Sequence, residues 1–460
     1  MIEAVMLKTI FISSFEGVET KNVLRTSIFS SLIRAGADVV LFTHDEERRD
    51  YHKKEFGGQE IRYEIAPALR AKGIDRFFRA LKFLMLRTET TTLRRTMKYE
   101  MDGNRLAYYG GMIASRLLAR KPVIRLVRAL DMALVRNHTF DRFFEKYRPD
   151  MVFLANLFNE PEVHFLRAAK KYGVSTVGLI NSWDKASGRC VLRLLPDTLI
   201  VFNEQVKEEL TAYHGARAGA IFIGGIPQYD PYYRAPFSSR EEFFKKIGCD
   251  PKTRLIVYAP AGRAFSDSDW DMIDLLQEMN AQGEFGAGVS LLVSFAPHEP
   301  LDMREIEKRP HLKYDHRGII LGRGDRADWD MSDADARHLA DTLYHMSLLV
   351  CYASSLSVDG AVFDKPVINI DFEVRKSRYL AKSPTQYYGT THYKKALATG
   401  GIRMVRSEGE LAAAAREYLT DPSRDRTGRK RLAREQCFYE DGKSGERIGN
   451  FVVRQLTASR

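Results

Sequence analysis

VCYASSLSVDGAVFDKPVINID, residues 350–371, is the stretch on which the fold turns. Residues 347–352 form an apolar run with strand character, ending in the small hydroxyl residues Ser354, Ser355 and Ser357. An apolar segment carrying Asp359 follows, then Lys365-Pro366 and a second short strand over 367–370. A strand, a tight polar turn and a helix start make an anion site, because the first N–H groups of a helix have no partners within it. The run suits a phosphate-bearing ligand in a large α/β enzyme. Hydroxyl residues at such junctions also serve only to cap the helix, so the stretch alone leaves both readings open.

The surrounding chain of 460 residues is too long for one ordinary core, and two domains of roughly 200 residues each are expected. An apolar fraction of 44% is ordinary for a globular protein. No run approaches the ~18 consecutive apolar residues of a spanning helix. The opening MIEAVMLKTIFISSF reads as a first buried strand rather than an export signal, since its only cation, Lys8, interrupts the apolar run. Cys190, Cys249, Cys351 and Cys437 lie far apart, without metal-ligand or disulfide spacing. These features predict a cytoplasmic protein.

The net charge of +11 is concentrated in one place. Residues 70–136 hold 16 Lys or Arg against 5 Asp or Glu, so the rest of the chain is neutral in sum. Within this region IDRFFRALKFLMLR (74–87) and ASRLLARKPVIRLVRALDMALVR (114–136) interleave bulky apolar and basic residues. Such helices suit the surface of an anionic membrane. They also suit packing on the domain with the charges in water. Nucleic acid is not an expected partner, because no binding module or glycine-arginine repeat accompanies the charge.

Along the first half, strands are predicted over 8–13, 38–43, 151–155, 175–180, 197–202 and 220–223. Helices are predicted over 22–34, 161–172 and 204–213, with a basic helical insertion at about 66–148. After Gly224-Gly225-Ile226-Pro227 the pattern restarts, with strands at 255–258 and 289–294 and helices at 269–279 and 336–344. Short apolar strands alternating with helices imply mostly parallel sheets covered on both faces. Two such α/β domains, 1–228 and 229–430, would face a cleft at their strand ends. The polar helical tail 431–460 would return to the first domain.

Six junctions carry chemistry. After the first strand, Gly17 permits a tight turn, and Glu16 would sit at the cleft mouth as a candidate general base. Asn181, Trp183 and Asp184 follow a second strand, and Asn156 and Glu160 follow its neighbour. Asp184 or Glu160 could hold an acceptor hydroxyl, and Trp183 could stack on a sugar face. Gly262 and Arg263 follow a strand of the second half, where an Arg can neutralise a diphosphate with directed donors. His298 ends another strand and could donate to a phosphate; the plain alternative is a structural histidine. The serine cluster with Asp359 is the fifth junction, and Gly442-Lys443, where Lys443 could reach a phosphate, is the sixth. GxGxxG is absent, which counts against a dinucleotide fingerprint, and no Asp/His cluster predicts a metal.

With these residues in view, the chain resembles bacterial glycosyltransferases of the two-Rossmann-domain (GT-B) architecture. It is most similar to the branch shared with the CDP-glycerol:glycerophosphotransferases and surface-carbohydrate transferases. The resemblance rests on Lys21-Asn22-Val23-Leu24-Arg25-Thr26, Asn181-Ser182-Trp183-Asp184, Val201-Phe202-Asn203-Glu204, and Gly224-Gly225-Ile226-Pro227-Gln228-Tyr229-Asp230. It continues in Tyr258-Ala259-Pro260, Pro297-His298-Glu299, Ser354-Ser355-Leu356-Ser357 and residues 438–444. It implies a second domain that grips a nucleotide donor, with His298, Ser354, Ser355 and Arg263 near its diphosphate. It also implies an acceptor on the first-domain side, often lipid-linked at the cytoplasmic membrane face. One departure is Cys351-Tyr352-Ala353-Ser354-Ser355, where the glycerophosphate transferases carry an aspartate before the serine cluster; Asp359 also stands where a glutamate is common. That departure favours a nucleotide sugar over CDP-glycerol.

The expected reaction is glycosyl transfer from a nucleotide diphosphate sugar to a hydroxyl of a cell-envelope glycan, with no cofactor beyond that co-substrate and no metal. Arg263, His298 and the N–H groups near 354–357 would meet the charge on the departing diphosphate. Glu16, then Asp184, would deprotonate the acceptor. Rival readings are polyol-phosphate transfer from a CDP-linked donor, a UDP-sugar 2-epimerase, and a non-enzymatic membrane-binding protein.

Overall fold

The computed structural model describes residues 8–57, 61–69, 71–234, 236–321 and 328–458; Arg70, at the edge of the basic region, lies outside them. The first sheet contains β1 (Thr9–Ser13), β2 (Asp38–Thr43), β3 (Ile61–Ile65), β4 (Met151–Leu154), β5 (Ser175–Leu179), β6 (Thr198–Val201) and β7 (Ile221–Ile223). All its pairings are parallel, in the order β3-β2-β1-β4-β5-β6-β7. The second contains β8 (Arg254–Ala259), β9 (Val289–Phe295), β10 (Tyr314–His316), β13 (Leu348–Cys351), β14 (Val367–Ile370) and β15 (Arg403–Val405), parallel in the order β10-β9-β8-β13-β14-β15. Between β10 and β13, β11 (Ile319–Ile320) and β12 (Trp329–Asp330) make a small antiparallel ribbon.

The alternation of side chains explains why each sheet is covered twice. Ile10 and Ile12 of β1 enter one apolar cluster and Phe11 the opposite one; Val257 and Tyr258 of β8 divide in the same way. The cluster holding Ile10 continues through Ile226 and Tyr229 to Val257 and Leu349, so one core runs from sheet to sheet.

Three expectations differ from the structure. The helix predicted over 22–34 breaks at Arg25-Thr26: Thr26 caps a new helix, Ser27–Arg34, and Arg25 turns away to Asp330 (Nε to Oδ2, 3.0 Å). The helix Glu46–Phe56 and β3 were not predicted, since EERRDYHKKEF has almost no apolar spacing to read. The tail is two helices, Arg426–Cys437 and Ser444–Ala458, parted by a turn with positive φ at Phe438 and Gly442. The last helix lies on Ser27–Arg34, so closely at Gly449 that a Cβ there would come 2.6 Å from the Ser31 Cβ.

Between β3 and β4 five helices form the insertion: Gly73–Leu81, Glu89–Asp102, Arg105–Leu118, Lys121–Leu134 and Asp141–Tyr147. A buried ion network fastens it to the first domain. Arg193 reaches Asp75 (2.7 Å) and Asp131 (2.8 Å) of the insertion, and Lys82 reaches Glu160 (2.6 Å) of the domain.

Candidate functional site

Strand order reverses between β1 and β4 in the first sheet and between β8 and β13 in the second, and α/β sheets bind ligands at such points. The two reversals face each other across a cleft of 810 Å³. Glu16, Asn181, Trp183 and Asp184 line it from the first domain, and His298, Ser354, Ser355 and Asp359 from the second. Lys21, Arg94, Lys185, Arg189 and Arg317 also line it, so five cations stand against three carboxylates, an excess suited to anionic substrates.

On the first-domain wall, Asn156 donates to the Glu16 carboxylate (3.2 Å), while the buried Lys185 ammonium donates to the side-chain oxygens of Asn156 (3.0 Å) and Asn181 (2.7 Å). Asn156 thus positions Glu16 from behind the surface. Burial would raise the Asp184 carboxyl, but His392, the Ser182 hydroxyl and Lys185 outweigh it and hold Asp184 below its usual range. Burial likewise lowers Lys185 and His392.

Beneath Glu16 lies Glu19, which burial first and the Glu16 charge second push up to about 7. Its folded value lies above its ordinary 4.5, so the fold binds this proton more tightly than the unfolded chain does. The contribution is fully present below pH 4.5 and is lost as pH rises toward 7. Glu19→Gln keeps an acceptor for the Phe15 and Glu16 N–H groups and removes that loss. It is expected to stabilise the protein by about 2–3 kcal/mol at high pH and to flatten the dependence between 4.5 and 7, measured by urea unfolding across that range.

On the second-domain wall, Arg317 is buried, donates to Ser294 (2.7 Å) and pairs with Asp315. Lys21 comes from the other domain; burial lowers it, with Asp359 opposing and Arg317 adding to the effect. Asp359 accepts from Tyr229 (2.7 Å) and Tyr232 (2.6 Å), so it anchors the helical turn Pro227–Tyr233 between the two sheets as well as facing the cleft. Ser357 is buried against Tyr393 (2.8 Å) and lies below the surface that Ser354 and Ser355 form. The β11–β12 ribbon crosses to the first domain through Asp328 with Arg48 and Asp330 with Arg25, which sets Trp329 over the cleft, its ring 6.2 Å from that of His298.

Other predicted residues lie elsewhere. Glu160 is paired with Lys82 and Arg193 (2.5 Å) and serves the insertion's attachment, not the cleft. Asp269 accepts from Gly262 N–H (2.7 Å) and Glu299 from Arg263 N–H (2.9 Å), which curls this loop away. Gly262 and Arg263 therefore line a separate hollow of 240 Å³, where the exposed guanidinium lies 3.8 Å from Glu299 and 3.6 Å from Asp302. Lys443 is exposed and outside the cleft lining. Among the described residues two groups have the donors for a metal, His44-Asp45-Asp328 and Asp75-Glu160-His164. Each has a carboxylate already engaged by Arg48 or Arg193, and neither lines the cleft.

Residues 193–454 match the model of the family described as CDP-Glycerol:Poly(glycerophosphate) glycerophosphotransferase. The chain belongs to this family. Membership of the glycerophosphotransferase family makes it a transferase and sets aside the non-enzymatic reading. No curated protein matches it in sequence. Among solved structures it is similar to a UDP-N-acetylglucosamine 2-epimerase (11% identity, 98% of this chain and 96% of that one, TM-score 0.53). It is similar also to a glycosyltransferase of Rickettsia africae (10% identity, 99% and 100%, TM-score 0.51). A third is the wall teichoic acid polymerase TagF soaked with CDPG (12% identity, 98% and 89%, TM-score 0.51). These likenesses show the shared fold: two Rossmann-like domains in the GT-B arrangement.

Lys21, Arg94, Lys185, Arg189 and Arg317 are the cleft cations for which sequence reasoning gave no role. Lys21 and Lys185 stand inside or beside stretches that carry the family resemblance, which was the available signal. Arg94 is one basic residue among the 16 of the insertion region, and Arg317 has no local motif at all.

Proposed function

We propose that this transferase moves a glycosyl group from a nucleotide diphosphate sugar to a hydroxyl of a cell-envelope glycan or lipid-linked acceptor at an anionic membrane surface. The observation that carries the reading is the division of the cleft. His298, Arg317, Lys21 and the turn at Ser354-Ser355 gather on the donor side, while Glu16 and Asp184 face them from the acceptor side. The cations meet the charge that develops on the departing diphosphate. A carboxylate opposite takes the acceptor's proton as its oxygen attacks the anomeric carbon. Lys21 and Arg317 supply positive charge of the kind a metal would bring, which supports a metal-independent reaction.

A second reading is polyol-phosphate transfer from a CDP-linked donor, favoured by the family itself. Thermal shift with UDP-, GDP-, CMP-, dTDP- and CDP-linked compounds separates the two: selective stabilisation by CDP-glycerol or CDP-ribitol would replace the first reading. For the donor site, His298→Ala is expected to weaken binding of the selected nucleotide about tenfold or more by calorimetry. Arg263→Ala is expected to bind like wild type, because its guanidinium is turned to Glu299 and Asp302. Equal losses in both variants would contradict this assignment.

A further inference from the structure

A side pocket of 400 Å³ adjoins the cleft where Asp184, His298, Ser354 and Ser355 meet, on the side of the insertion helix Glu89–Asp102. Its size is that of a small-molecule site. Its walls are six aromatic rings: Trp183 from the first domain and Phe265, Tyr352, Tyr387, His392 and Tyr393 from the second. The tyrosine hydroxyls are spent on the protein: Tyr352 donates to Phe372 O (3.1 Å), Tyr387 to Ala381 O (2.9 Å) and Tyr393 to Asn369 Oδ1 (2.6 Å). These rings thus offer carbon surface to the pocket. They are also braced at right angles, Trp183 against His392 (83°, centroids 4.8 Å) and Phe265 against Tyr387 (83°, 4.9 Å). Hydrogen-bonding groups stand at the mouth instead, with Asp184 and Ser182 on one side, Arg94 from the insertion, and His298 beside the serine turn.

We propose that this side pocket is a pyranose subsite. A sugar ring presents apolar C–H faces and a rim of hydroxyls, which match aromatic walls with a polar mouth. A glycerol or ribitol chain has no ring face to set against such walls. The site borders the residues assigned to the diphosphate, so the ring belongs either to the donor or to the terminal unit of the acceptor. The inference rests on the proposed reading of the cleft as a nucleotide-dependent transferase site and names the chemistry of one of its substrates.

The test uses the full-length protein with UDP, UDP-glucose and UDP-N-acetylglucosamine for the donor arm, and methyl glucoside and methyl N-acetylglucosaminide for the acceptor arm. Two variants change the pocket from opposite sides: Phe265→Ala removes a half-exposed wall, and Leu93→Trp narrows the space from the insertion helix. In the donor arm, calorimetry is expected to show UDP bound equally by all three proteins. The extra affinity that the hexose confers should fall about tenfold in both variants. In the acceptor arm, saturation-transfer signals from the methyl glycosides are expected in the wild type and lost in the variants; whichever arm responds identifies the source of the ring. No sugar-dependent effect in either arm, or one unchanged by both substitutions, overturns the subsite. Absence of wild-type binding to every one of the UDP-, GDP-, CMP-, dTDP- and CDP-linked compounds would instead strike the transferase reading, so the two failures are distinct.

Discussion

Glu16→Gln is expected to slow transfer about 10²–10⁴-fold while leaving donor affinity unchanged, the signature of a lost general base. The carboxylate stands at the end of β1 on the acceptor wall, and Asn156, itself held by Lys185, donates to it. Glutamine preserves an oxygen for the Asn156 amide, so the variant keeps the shape of the wall and loses only its ability to take a proton. Asp184→Asn is the necessary comparison. Asp184 is held below the usual carboxylate range, so it stays ionised under all assay conditions but takes up a proton less readily. A smaller loss of rate, with a larger rise in acceptor KM, is therefore expected for Asp184→Asn. If the large loss follows Asp184 instead, the two roles exchange. If neither substitution slows transfer, a side-chain base is absent, and the anomeric configuration of the product should be retained; proton NMR of the product decides it.

Why the strands were legible and parts of the site were not has a physical answer. A parallel strand covered on both faces is an apolar run whatever it packs against, so the runs at 38–43, 151–155 and 289–294 announce themselves. The run at 289–294 ends at the cleft, as β1 does, so His298 and Glu16, placed just after those strands, fall into it by topology. Arg263 also follows a strand, yet Asp269 and Glu299 capture the backbone of its loop and turn the side chain outward. Asp269 is near in sequence, but Glu299 stands 36 positions after Arg263, and that part of the capture no local motif encodes. Arg94 shows the converse: it arrives from a helix of the insertion, and its guanidinium, bonded to Gly188 O, reaches the cleft only because the helix Glu89–Asp102 is fixed at both domains. Thr88 donates to Ser187 O (2.7 Å) on one side, and Thr90 accepts from Thr391 N–H (2.9 Å) on the other.

Replacing Arg116, Arg120, Lys121 and Arg125 together by Gln is expected to weaken binding to vesicles rich in anionic lipid about 10³-fold at low salt, at about 1 kcal/mol for each charge. All four are exposed on the helices Arg105–Leu118 and Lys121–Leu134 or the turn between them. The apolar partners of these charges are unburied too: Leu106 is 86% exposed, and Ile113 and Leu126 are each 60% exposed. Leu106, Tyr109, Ile113 and Leu117 recur at helical spacing along one helix, and Leu126, Leu130 and Leu134 along the next. The sequence left two outcomes open for this region, packing on the domain or facing a membrane. Packing is accomplished by other residues, since Met85, Leu86 and Ile124 form the buried cluster and Arg128 donates inward to Leu192 O and His214 O (both 3.0 Å). The remaining apolar side chains thus form a face rimmed by positive charge. A face of this kind is what the expected binding to an anionic surface requires; no helix among the described residues is long and apolar enough to cross a membrane. A second copy of the chain fits it less well, because two such rims would repel. Flotation with anionic and with neutral vesicles, at low and high salt, separates the alternatives. Binding to anionic vesicles that salt and the four substitutions both abolish supports the membrane. Self-association that survives the substitutions would instead assign the apolar face to a dimer.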